Sequence, residues 1–208
     1  MPLFFVDYWY LVLVLPAVLL SLAAQIGVQS TFKKYSKIGT RSGMTGRDAS
    51  AAIQRENGLS VPIETVQGSL TDHYDPRGNV IRLSETVGSV PSIAAIGVAA
   101  HETGHALQYA TGYGPIRLRA GILPATQFAS TAAPYLVILG LALSWDFLAI
   151  VGVAFFALAV FFQLVTLPVE FNASSRAMKA LKAQGKEFSS IISMALKESQ
   201  KNSAQTII

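Results

Sequence analysis

Three long stretches of the chain contain no charged residue at all: 8–32, 120–145 and 147–169. Each is long enough for a helix that crosses a hydrocarbon core, which takes roughly 20 residues over about 30 Å. Residues 30–119 instead mix polar, charged and apolar positions in the manner of a folded domain. Within it, residues 45–57 predict a short helix, with Asp48 and Arg55 on its polar side and Gly58 where a helix would stop. Residues 61–66 predict a strand, Asp75-Pro76-Arg77-Gly78-Asn79 a turn, and residues 80–83 a second strand, with His73 in the loop before the turn. Residues 89–110 predict a longer helix. Pro91 is tolerated in its first turn, alanines fill its body, and Gly112 and Gly114-Pro115 stop it.

The second and third charge-free runs, joined by Ser144-Trp145-Asp146, predict a membrane hairpin. The early half of its first arm carries Thr126, Gln127, Ser130, Thr131 and two prolines, a polar character expected to line a cavity. Pro168 is expected to kink or end the second arm. The N-terminal run has Tyr8-Trp9-Tyr10 at its start, as in a headgroup belt, and Lys33, Lys34 and Lys37 after it. A signal peptide carries its positive charge before the apolar core, whereas here Asp7 precedes and the lysines follow. The run reads as an anchor.

Composition agrees with a membrane protein, mainly helical: 51% of residues are apolar and 13% charged, against roughly 25% charged in soluble domains. The absence of cysteine excludes disulfides and thiolate metal sites. The net charge of +4 does not signal nucleic acid, because the basic residues form no stripe interleaved with aromatics; it signals orientation. Ten Lys and Arg lie in residues 33–119 and six in 170–208, while the N-terminal stub and the 144–146 loop have none. Three crossings with the N-terminus outside would put both basic regions in the cytoplasm.

The chemistry is concentrated in His101-Glu102-Thr103-Gly104-His105. Zinc needs two neutral imidazoles converging from one direction, and a helix supplies that at i and i+4. Glu102 sits about 100° further round, beside the metal and pointing past it. A metal-held water has its pKa lowered far below that of bulk water, towards ~7, so an ordinary carboxylate there suffices as general base. Chance placement of three histidines and seven glutamates would produce this pattern in on the order of one such chain in a thousand. Two imidazoles and a carboxylate on an alanine-rich, buryable helix would also be costly without a partner.

A catalytic zinc takes three protein ligands and keeps one position open. No third histidine follows within residues 106–115, which leaves His73, Glu85, Glu170, Glu187 and Glu198. Glu170 is the best placed of these. It follows the last apolar run and Pro168, at the membrane face that Arg117 and Arg119 mark for the histidine helix.

The segments Leu70-Thr71-Asp72-His73-Tyr74-Asp75-Pro76, Ala99-Ala100-His101-Glu102-Thr103-Gly104-His105-Ala106-Leu107-Gln108 and residues 167–177 resemble the YugP-like family of membrane zinc metallopeptidases. The layout is also similar to the gluzincin-type heat-shock membrane and CAAX proteases, with HExxH, a transmembrane hairpin and then a glutamate followed by an aromatic residue. The resemblance implies one Zn²⁺ per chain on His101, His105 and Glu170, with Glu102 as base. It implies a zincin-like α+β catalytic domain over residues 30–119, between an anchor at 1–29 and a hairpin at 120–169. A cytoplasmic tail at 170–208 would carry the third ligand. Ser174 stands where the wider group has an aspartate that orients a ligand histidine, and a hydroxyl does this more weakly. Residues 188–208, with Lys197, Glu198 and Lys201, are too polar for the further span the closer family leads one to expect, which implies a shortened or divergent end.

Lesser expectations attach to His73, as a residue supporting the site or the transition state or equally as a local hydrogen-bonding feature of the loop, and to Arg176, as oxyanion stabiliser or membrane-surface charge. Residues 80–83 read equally as an edge strand offered to an extended peptide and as an ordinary core strand. The sum is an integral-membrane zinc endopeptidase of a prokaryotic inner membrane. Its site would face the cytoplasm, its partners being the bilayer and a polypeptide substrate. The alternative is a non-catalytic zinc-binding membrane adaptor or scaffold.

Overall fold

A computed structural model describes residues 8–184. Asp7, Glu187, Glu198 and the polar segment 188–208 therefore lie outside the described residues. Nine elements follow in order: α1 (Tyr8–Ser36), α2 (Gly46–Glu56), β1 (Ile63–Val66), β2 (His73–Asp75), β3 (Val80–Ser84), α3 (Glu85–Gly88), α4 (Ile93–Ala110), α5 (Gly114–Ala142) and α6 (Asp146–Ala183). Among the described residues, three stretches are long and apolar enough to cross a membrane: Leu15–Ser36, Gly114–Ala142 and Asp146–Ala183. By contact pattern the described chain divides into two units, residues 8–107 with 173–184, and residues 108–172.

In the first unit, α2 begins where its capping chemistry dictates. Thr45 Oγ1 accepts from the Asp48 N–H at 3.2 Å, and Asp48 Oδ2 accepts from the Thr45 N–H at 3.0 Å, a reciprocal pair that satisfies two otherwise orphan donors. The Thr45 hydroxyl and N–H hold the Asp48 carboxyl below its ordinary pKa. Gly58 follows with φ +64°, a left-handed conformation that lets the chain leave the helix. The inner face of α2 buries Ala49 and Ile53 against Ile93, Ile96 and Ala100 of α4 and Ala177 and Leu181 of α6. At its start Gly46 allows the backbones to meet: a Cβ there would lie 2.3 Å from Val87 O and 2.8 Å from Ala95 O.

The sheet has the order β1-β3-β2, with β1 parallel and β2 antiparallel to β3. Ile81 and Leu83 of β3 are fully buried and pack with Val61 and Val87 on Ala99 and Ala106 of α4. The register Glu64↔Arg82↔His73 sets charged side chains on the other face. There Arg82 bonds Glu64 at 3.1 Å and Asp75 at 2.6 Å, and its guanidinium pushes the Asp75 carboxyl below the ordinary carboxylate range. Strand β3 is thus the central strand. Of the two readings of residues 80–83, the core strand holds and the edge strand is corrected: the stretch before the turn, read as loop, is itself a strand and takes that edge.

Helix α4 begins four residues later than its sequence pattern suggests. The segment before it pairs with residues 38–40 instead: Thr40 N–H donates to Pro91 O, Ile93 N–H to Ile38 O, and Gly39 bridges Ser92. Ser92 Oγ then accepts from the Ala95 N–H and opens the helix.

The second unit is a helical hairpin of α5 and the first part of α6. Small residues let its arms approach. A Cβ on Gly140 would lie 2.4 Å from Ala149 N, and one on Gly152 would lie 2.7 Å from a Val137 methyl. Early in α5, Thr126, Ser130 and Thr131 return their hydroxyl hydrogens to carbonyls of their own helix. Pro168 does not end α6, which continues to Ala183. Beyond it Ala173, Ala177 and Leu181, spaced by four, are all buried, and that packing outweighs the one hydrogen bond a proline forfeits.

Candidate metal centre

The two histidines of α4 stand one turn apart with ring centroids 4.8 Å from each other and planes at 86°. His105 is buried and His101 half-buried. Glu170, half-buried on α6, completes a group in which one ligand atom from each of His101, His105 and Glu170 lies within 4.8 Å of the others. Two imidazoles and a carboxylate suit Zn²⁺ and leave a fourth position for water or substrate. Among the described residues this is the group with metal-ligand character; His73 and Glu85 are not members.

The His101 ring is further fixed from α6. Its Nδ1 lies 3.0 Å from Ser174 Oγ, which directs Nε2 away from Ser174. Ser174 is itself buried, one turn beyond Glu170 on the same helix. The close approach that permits this contact is made at Gly104. A Cβ there would stand 2.5 Å from Ala173 O and 3.1 Å from Ala173 C, so the α6 backbone rests directly on the glycine between the histidines. Thr103, also inside the motif, faces the other way. Its hydroxyl bonds Ala99 O at 2.7 Å and Ser50 Oγ at 2.7 Å, tying α4 to α2. Further along α4, Gln108 Nε2 donates to Val169 O at 2.7 Å and to Asn172 Oδ1 at 3.0 Å, which grips α6 on either side of Glu170.

Glu102 does not join the ligand group. Its Oε2 accepts from the main-chain N–H of Tyr74 at 3.0 Å. His73, next in the chain, is exposed on the charged face of the sheet, with Nδ1 2.8 Å from Thr71 O. Arg176 is half-buried on α6, two residues after Ser174. Strand β2 and its contact with Glu102 were missed by the sequence reading. A signal existed: a strong turn with a strand after it implies a strand before it.

The site thus joins two histidines of one helix to a distant glutamate in a group that could hold a metal ion, and three of the described helices are of membrane length. The chain belongs to the family described as "Putative neutral zinc metallopeptidase", whose family model matches residues 10–200. It is 50% identical over 177 residues to the "Putative membrane protease YugP" of Bacillus subtilis (strain 168), a match covering 85% of this chain and 79% of that protein. No solved structure matches the chain.

Proposed function

We propose that this protein is a zinc-dependent membrane endopeptidase, hydrolysing peptide bonds of membrane-associated or unfolded polypeptides at the cytoplasmic membrane surface. The observation that carries the reading is the convergence of His101, His105 and Glu170, with Glu102 beside them on the same helix as the histidines. In this reading His101 and His105 hold Zn²⁺ through their imidazoles and Glu170 through its carboxylate. Bound there, zinc would acidify a water and polarise the scissile carbonyl. Glu102 takes the proton that the attacking water gives up and returns it to the leaving amine. Ser174 holds the His101 ring in one orientation by engaging Nδ1, which leaves Nε2 as the nitrogen that would bind the metal. The basic content of residues 33–119 and of the region from 170 onward supports a cytoplasmic site with the N-terminus outside.

The test uses the full chain purified in detergent. One zinc per chain by metal analysis, together with zinc-dependent cleavage of a generic unfolded polypeptide, is expected. Protein that holds no stoichiometric zinc would sink the metal reading. Zinc without cleavage across a broad substrate panel would instead favour a non-catalytic adaptor. The orienting contact has its own consequence: Ser174→Ala is expected to weaken zinc about 10- to 100-fold, measured by competition with a chelator. Unchanged affinity would remove Ser174 from the site.

A further inference from the structure

We propose that the main-chain N–H of Tyr74 is the positioning group for Glu102, so that the backbone of strand β2 sets the orientation of the base. The role rests on the peptidase reading above; the contact itself does not. β2 lies at the edge of the sheet. In an antiparallel ladder successive N–H groups alternate between facing the partner strand and facing away. The Tyr74 N–H meets Glu102 Oε2 at 3.0 Å, so an outward edge donor that would ordinarily meet water meets a carboxylate from α4 instead.

The donor is held on both sides. One residue before the His73–Tyr74 pair, Asp72 accepts from the Ser84 N–H at 2.7 Å and from its hydroxyl at 3.0 Å. One residue after Tyr74, Asp75 is bonded to Arg82 at 2.6 Å. The Tyr74 ring packs on the cluster of Val61, Ile81 and Leu83, and its hydroxyl donates to Asn79 Oδ1 at 2.8 Å. A glutamate on a helix surface otherwise samples several rotamers. A fixed amide on Oε2 selects one of them and thereby sets where Oε1 points. The carboxylate accepts protons, so an orientation error of about 1 Å there costs roughly 100-fold in rate.

Tyr74→Pro removes this N–H at a position where proline is tolerated, the outward side of an edge strand, and Tyr74→Phe keeps it. In zinc-loaded full-length protein, Tyr74→Pro is expected to lower kcat about 10- to 100-fold with KM within about twofold and zinc content unchanged, while Tyr74→Phe stays near wild type. A second measurement needs no turnover. Hydrogen exchange at the Tyr74 amide is expected to quicken about tenfold in Glu102→Ala while the β3 amides stay as protected as in wild type. Wild-type kcat in Tyr74→Pro, a loss confined to KM, or Tyr74 exchange indifferent to Glu102→Ala would each overturn the proposal. Zinc-loaded wild type without any hydrolysis would overturn the peptidase reading and this role with it; quickened exchange would still establish the contact.

Discussion

Glu102→Gln is expected to lower kcat on an unfolded polypeptide by about 10²- to 10⁴-fold while zinc content stays at the wild-type level. The two halves of that expectation have separate physical causes. Glutamine is nearly isosteric with glutamate, and its amide oxygen accepts the Tyr74 N–H as Oε2 does in the native chain. The side chain therefore keeps its place, and what is lost is the capacity to accept a proton. Glu102 is not in the group formed by His101, His105 and Glu170, so the metal has no reason to leave. Kinetics and metal analysis on one preparation check both halves. A glutamine variant that retains more than about a tenth of wild-type kcat would show that the proton goes elsewhere. A variant that loses zinc would show that Glu102 is a ligand.

The parts of this arrangement legible in the sequence are those that depend on spacing along one element. The interval between His101 and His105 needs only a helix to become two converging imidazoles. The charge-free runs need only a length. Glu170 is legible only through topology, as the carboxylate that returns to the same membrane face after a hairpin, and through the family resemblance. Element ends were less legible. Pro168 marks a helix end by local rules, yet Ala173, Ala177 and Leu181 bury a stripe beyond it and α6 continues. Residues 89–92 carry a helical pattern, yet they pair with residues 38–40, a choice made by a loop fifty residues earlier. Strand β2 is three residues long and contains no run of β-branched side chains, so no periodicity announces it. The contact it makes with Glu102 goes through a main-chain N–H, which every residue except proline carries. No residue type encodes such a contact.

Gly104 shows the same limit and carries the second large expected effect. In the sequence it is an unspecified position inside HExxH. In the fold it is the point where the backbones of α4 and α6 touch, with Ala173 O 2.5 Å from where a Cβ would sit. The obstacle is backbone, not the far end of a flexible side chain, so one helix must move. Gly104→Ala is expected to destabilise the protein by about 1–3 kcal/mol through overpacking, although alanine is the better helix former by up to about 1 kcal/mol. It is also expected to weaken zinc by more than about 100-fold. Separating the helices opens the 3.0 Å contact of His101 with Ser174 and moves Glu170, one turn earlier on α6, by a similar amount. Two comparisons isolate the cause. Gly97 lies on the same helix with nothing within 4 Å of an added Cβ, so Gly97→Ala should hold zinc as wild type does and unfold at an equal or higher temperature. Glu170→Ala should lose zinc as Gly104→Ala does, but its metal-free form should unfold at a higher temperature than that of Gly104→Ala, since it leaves the contact of Gly104 with Ala173 in place. Thermal unfolding of the metal-free proteins, set beside chelator competition, separates the three. A Gly104→Ala protein with wild-type zinc affinity would mean that the site does not depend on the close approach of α4 and α6.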